Sequence, residues 1–255
     1  NFPFTEEERI NSISIDNPLD SNKSSMRTNL QMSLKNNLAY NERRQKDSIK
    51  LFEISDVYSF DKQLNKQTKI GIIASGRLGN NYRDFSKNID KKYFENLLSS
   101  FKEHFISDVP DNIIEISRDE INSKMKNKIF YTEFVINDAS SFNYSNKKIK
   151  NNKFIKYEKI SDFPSTSRDL SFAVGEPEKY YELADILLNY KTKNLKDIFI
   201  FDFFHNKDKD ILKIGFRFTF QSINNTLSDK DVDKLMNDII DISLNVESVS
   251  IPGLN

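Results

Sequence analysis

The sequence predicts an α+β protein in two parts, the second a compact β-α-β-β-α-β domain, and three observations carry that prediction. Residues 170–174 and 212–220 alternate apolar and polar side chains with the period of two that marks a strand burying one face. Residues 178–191 and 228–240 instead repeat apolar positions every three or four residues, the mark of a helix with one buried stripe. Pro164 stands between the two parts, where its missing donor and its bias on Phe163 break the chain before the first of those strands.

At 255 residues the chain is long enough for two domains, each with its own core. Charged residues make up 30% of it, yet 21 Phe and 10 Tyr supply the bulk that a disordered chain lacks. Lys plus Arg and Asp plus Glu both total 38, so any attraction to nucleic acid has to come from a local patch. The absence of Cys removes disulfides, thiolate nucleophiles and thiolate metal sites and fits a reducing, cytoplasmic setting. No apolar run approaches the roughly 18–20 residues that span a bilayer, and the first residues lack a signal pattern. The chain does not begin with Met, so it is expected to be part of a longer one.

In the first part, S-I-S-I before Asn17-Pro18 reads as a strand ending at a turn. Ser24 or Ser25 is placed to cap a helix on which Met26, Leu30, Leu34 and Leu38 recur every fourth residue. Residues 48–60 are rich in β-formers and predict a strand followed, after a turn, by another. Residues 113–136 predict a short strand, a short polar helix and a strand, and residues 139–159 a polar linker. Its interleaved Lys, Phe and Tyr also suit single-stranded RNA. Gly76 to Gly79 match neither a phosphate loop nor a dinucleotide fingerprint. Arg27, Arg43 and Arg44 suit a phosphate backbone or a solvated surface. His104 and His205, the only histidines, have no metal-binding spacing, and no nucleophile elbow marks a hydrolase.

In the second part, the strand opening at Thr166 leads to a helix entered at Pro177 with Leu183, Leu187 and Tyr190 on one face. Lys196 to Phe204 and Leu212 to Phe220 form a hairpin across H-N-K-D-K-D. Ser228 with Asp231 approximates a capping box for a second helix bearing Val232, Leu235, Met236, Ile239 and Ile240, and Glu247 to Ile251 supplies the last strand. This is the split β-α-β arrangement of a ferredoxin-like domain, two helices on one face of a four-stranded antiparallel sheet. Its other face is left open, compatible with single-stranded RNA, although such domains also bind small effectors or join subunits.

A resemblance narrows these options. N-P-L-D at 17–20, S-S-M-R-T-N-L at 24–30, Y-N-x-R-R at 40–44 and I-K-L-F-E-I-S-D-V-Y at 49–58 resemble the catalytic-like module of the bacterial-type phenylalanyl-tRNA synthetase beta subunit. K-I-G-I-I-A-S-G-R at 69–77, N-N-Y-R-D-F-S at 80–86 and K-K-Y-F-E-N-L-L at 91–98 resemble its next strand, loop and helix. Residues 159–174 resemble the start of that family's ferredoxin-like anticodon-binding domain. The likeness implies a class II synthetase-like antiparallel sheet module at 1–138, shortened and non-catalytic, and an anticodon-binding domain at 160–255. The segment between Ile106 and Asp138 lacks the family's His-Pro-Gly strand.

The resemblance also implies roles. The family's L-F-D-x-Y stretch lies at the surface that meets the anticodon, and F-I-F-D-F-F at 199–204 matches it, retaining Asp202 and placing Phe204 where Tyr is usual. Phe204 keeps a ring for stacking and loses the phenolic hydrogen bond. Lys213 replaces a family Ser, exchanging a base-directed hydroxyl for a phosphate-directed charge. Arg168 and Asp169 match the family's Arg-Arg-Asp, with Ser167 for the first Arg. Arg168, Asp202, Phe204 and Lys213 are therefore the expected nucleic-acid-binding residues, with no catalytic or metal residue on this chain. The family joins phenylalanine to tRNA(Phe) through an adenylate on an alpha subunit, in an alpha2beta2 assembly, so ATP and Mg2+ are expected there and not here. The competing reading is a ferredoxin-like RNA-binding or effector-binding module with no synthetase role.

Overall fold

The structure, a computed structural model, describes residues 12–19, 24–104, 112–136, 157, 159–206 and 210–254, of which 102–104 are described in backbone only. The expected linker at 139–159 lies outside the described residues apart from Tyr157 and Lys159. The chain divides into two compact units, one of residues 1–77 and 88–148, the other of 78–87 and 149–255.

In the first unit α1 (Gln31–Glu42), β1 (Ser48–Asp61), β2 (Gln63–Gly76), α2 (Lys91–His104), β3 (Ile114–Ile116) and β4 (Ile129–Val135) build an antiparallel sheet in the order β1-β2-β4-β3. Leu30, Leu34 and Leu38 bury the α1 stripe against Ile49, Val57, Ile73, Ile129 and Tyr131. Gly71 permits that approach, because a Cβ there would come within 2.9 Å of the Leu34 side chain. The helix starts later than its stripe predicts, at Gln31, and neither Ser24 nor Ser25 caps it. The cause is long-range. The Arg27 guanidinium donates to Glu53, to Ser55 and, at 3.0 Å, to the Asp56 carbonyl, and Tyr58 N–H donates to the Arg27 carbonyl at 2.8 Å. These bonds draw the segment before Gln31 out along β1 and leave Met26 outside the helix. The expected first strand is reduced to one bridge, Ser14 with Ser25.

Charged groups inside this unit are satisfied by one another. Glu42, with 3% of its side chain exposed, accepts at 2.8 and 2.9 Å from Arg118, whose other amine donates to Ser75 at 2.7 Å. Glu133 accepts from Tyr131 at 2.6 Å, from the Leu30 N–H at 2.9 Å and from Lys69 at 2.7 Å. Burial, then the Glu133 carboxylate, pushes the Tyr131 hydroxyl far above its usual range, so it stays a donor. Gly76 answers the question of a phosphate loop: at φ 96° it passes the Asp47 carbonyl so closely that a Cβ would lie 2.0 Å from the oxygen, a structural need for glycine.

The second unit contains β5 (Thr166–Val174), α3 (Lys179–Leu188), β6 (Leu195–Asn206), β7 (Ile211–Phe220), α4 (Asp229–Leu244) and β8 (Val249–Ser250). The sheet runs β6-β7-β5-β8 with every pairing antiparallel, which is the ferredoxin-like order. Phe172, Val174, Leu212, Ile214, Phe216, Phe218 and Phe220 bury one face beneath Leu183, Leu187, Val232, Met236 and Ile239 of the helices. The α3 helix ends at Leu188, two residues short of including Tyr190. Ser228 and Asp231 form a true capping box at α4. Hydrogen bonds from the Ser228 hydroxyl at 2.7 Å and its N–H at 3.0 Å hold the Asp231 carboxyl below its usual range. That contribution to stability is present at neutral pH and lost as pH falls through the lowered value.

Candidate nucleic-acid interface

Alternation along β7 assigns each residue to a face. Phe216, Phe218 and Phe220 enter the core, so Lys213, Gly215, Arg217 and Thr219 lie on the face that no helix covers. Register carries this assignment to the neighbouring strands. On β6, Phe199 stands opposite Arg217, Asp202 opposite Gly215 and Phe204 opposite Lys213; on β5, Asp169 stands opposite Arg217. A bulge between Ile200 and Asp202 inserts Phe201, whose ring lies across Gly215. A Cβ on Gly215 would be 2.8 Å from that ring, so glycine in mid-strand is what leaves room for the aromatic over β7.

Three of the four expected residues come together. Phe204, 55% exposed, is the direct cross-strand neighbour of the exposed Lys213, and Asp202 lies on the same face two residues away. Ring and ammonium therefore project side by side into solvent, the pairing that suits a base and its phosphate. Arg168 is elsewhere. It has the parity of the core residues Phe172 and Val174 and donates to Asp229, the first residue of α4, at 2.8 Å and to Thr166 at 3.1 Å. Asp169, its neighbour, accepts from Nε and Nη2 of Arg217, one on each carboxylate oxygen and both at 2.6 Å, on the open face.

Phe199, Phe201 and Arg217 escaped the sequence reading. The signal for Arg217 was available: it shares the off-core parity of Lys213. The bulge had no local signal, because F-I-F-D-F-F is apolar on both faces. Elsewhere Arg27 is engaged with β1, and the Arg44 guanidinium lies 3.4 Å from the centre of the Tyr40 ring. Among the described residues no three His, Cys, Asp or Glu side chains are grouped as metal ligands would be.

An antiparallel sheet backed by two helices, in the order β6-β7-β5-β8 and with aromatic rings and cations on its bare face, defines a ferredoxin-like domain. Family comparisons agree with the geometry. Residues 161–247 match the family model described as a ferredoxin-fold anticodon binding domain, and residues 1–109 match that of the phenylalanyl tRNA synthetase beta chain CLM domain. The chain is 26% identical over 269 residues to a phenylalanine–tRNA ligase beta subunit of Buchnera aphidicola, covering 95% of this chain and 33% of that protein. Similar subunits of Bacteroides fragilis (23% identity, 88% and 31% coverage) and Clostridium acetobutylicum (26%, 90% and 31%) also match. Over both matched stretches the chain is thus similar to phenylalanine–tRNA ligase beta subunits. It spans about a third of the length of the curated relatives it matches.

Proposed function

We propose that the chain is a non-catalytic, tRNA-holding portion of a phenylalanine–tRNA ligase beta subunit, which supports the ATP-dependent attachment of phenylalanine to tRNA(Phe) by an alpha subunit. The observation that carries this reading is the exposed Phe204 beside Lys213 on the bare sheet of a domain matched to an anticodon-binding family. In it, residues 160–255 hold the RNA and residues 1–138 form the catalytic-like module. Phe204 stacks on a base, Lys213 meets a phosphate and Asp202 accepts from a base or sugar. Arg168 acts one step back, tying the end of β5 to α4 through Asp229. ATP and Mg2+ serve the complex on the alpha subunit, in the cytoplasm; no helix among the described residues is long and apolar enough to cross a membrane.

The first unit supports the partner half of the proposal. Its outer strand β1 exposes Phe52, 71% accessible, with Ile54 and Phe60, and Leu64 lies opposite Phe60 on β2. These two apolar patches on a sheet edge, parted by Asp56 and Tyr58, suit cover by another chain. A complete beta subunit carrying these residues is expected to co-elute with its alpha subunit on gel filtration, and Phe52→Asp to weaken that association at least about tenfold, since a buried charge replaces a ring. A wild-type beta subunit that elutes free of alpha would overturn the partner reading.

A further inference from the structure

The bare face of the second unit is only partly bare. Segment 78–87, which groups with this unit, is braced as a tight turn: Leu78 N–H donates to the Lys87 carbonyl, and Asn81 accepts from Arg83 N–H at 3.0 Å and from Phe85 N–H at 2.8 Å. The turn delivers Phe85 onto the sheet. Its ring centre lies 5.8 Å from that of Phe199 and 5.4 Å from that of Phe201, and the Arg217 guanidinium carbon stands 4.7 Å from it. Arg217 is in turn fixed by both oxygens of Asp169, and Phe85 is only 9% exposed. The ring leans on both aromatics, at 52° to Phe199 and 55° to Phe201, and with the guanidinium over it fills the space a nucleobase would need to reach either of them.

We propose that Phe85 is a resident occupant of one of two stacking places on this face, so that single-stranded RNA engages the sheet through the Phe204 and Lys213 end alone. Phe199 and Phe201 become a second stacking place only when the Phe85 ring is removed. This rests on the RNA-binding reading above and adds to it a footprint, one base wide where composition alone would suggest three rings in a row. The occupant of the open end is assigned as RNA because its ring is flanked by an ammonium along the strand pairing, which matches the alternation of base and phosphate. A purely apolar partner would leave Lys213 facing it without compensation.

The probe is a fluorescein-labelled anticodon stem–loop of tRNA(Phe), titrated by anisotropy against the 255-residue chain and its variants. Phe204→Ala is expected to weaken wild-type binding about tenfold, and Phe199→Ser to change it less than about twofold. Phe85→Ala is expected to tighten binding about five- to tenfold, and Phe199→Ser added to Phe85→Ala to cancel that gain. Hydrogen exchange of the wild-type complex, which needs no substitution, is expected to give new protection around Phe204 and Lys213 and none at residues 82–85. Loss of binding in Phe204→Ala together with no gain, or a loss, in folded Phe85→Ala would overturn the footprint and leave the RNA reading standing. New protection at residues 82–85, or a Phe199→Ser loss equal to that of Phe204→Ala, would do the same. No binding by the wild type at low salt would overturn both.

Discussion

Phe216→Ala is expected to destabilise the second unit by about 3–5 kcal/mol, the range for removing a fully buried ring that the surroundings cannot replace. Phe216 is fully buried at the centre of β7, edge-on to Phe172 at 5.9 Å and stacked with Phe218 at 6.3 Å. Both helices rest on this layer, so little can collapse into the gap. In a unit of this size each kcal/mol shifts the midpoint by about 4–8 °C, so thermal melting should fall by more than about 12 °C. A fall below about 4 °C would mean that this ring is not the keystone of the core. Phe204→Ala, whose ring is exposed on the other face, is expected to stay within about 0.5 kcal/mol of wild type. The contrast separates the side of the sheet that makes the fold from the side proposed to meet RNA.

Glu42→Ala is expected to cost the first unit about 3 kcal/mol, because it leaves the Arg118 guanidinium, 22% exposed, without its carboxylate while Ser75 and the Asn127 carbonyl still hold it in place. The comparison is with Glu42→Leu combined with Arg118→Met, which removes both charges and should recover most of the loss. Urea unfolding followed by hydrogen exchange of β2 and β4 reads the effect within this unit. Equal stability in the single and double variants would mean that the pair contributes through packing alone. Glu42, Lys35 and Glu133 are thus spent on structure, each engaged with a charge of its own unit.

What could be read from the chain alone follows from how local each cause is. The strands and helices of residues 166–250 were legible because each carries its own period, and because Ser228 with Asp231 states a helix start within four residues. Side chains on β7 declare their faces for the same reason. The start of α1 was not legible, since the non-helical course of residues 24–29 depends on Arg27 meeting residues 26 to 29 positions further on. The parity of Arg168 with Phe172 and Val174 was legible in the alternation of β5, while its bond to Asp229 of α4 was not, since that residue lies 61 positions away. Phe85 on the sheet was beyond reach: nothing within residues 78–87 signals the two rings and the guanidinium it meets more than a hundred residues away.

Whether the bare sheet face of the second unit holds transfer RNA, as proposed, is read from the affinity of the 255-residue chain for tRNA(Phe) as a function of salt. The account predicts salt-dependent binding that Phe204→Ala weakens by about 1–3 kcal/mol, the worth of one stacked base. It predicts that Lys213→Ala lowers the magnitude of the slope of log K against log salt by about one, the signature of one lost phosphate contact. Binding that is indifferent to both substitutions, or no binding of tRNA(Phe) at low salt, would contradict it.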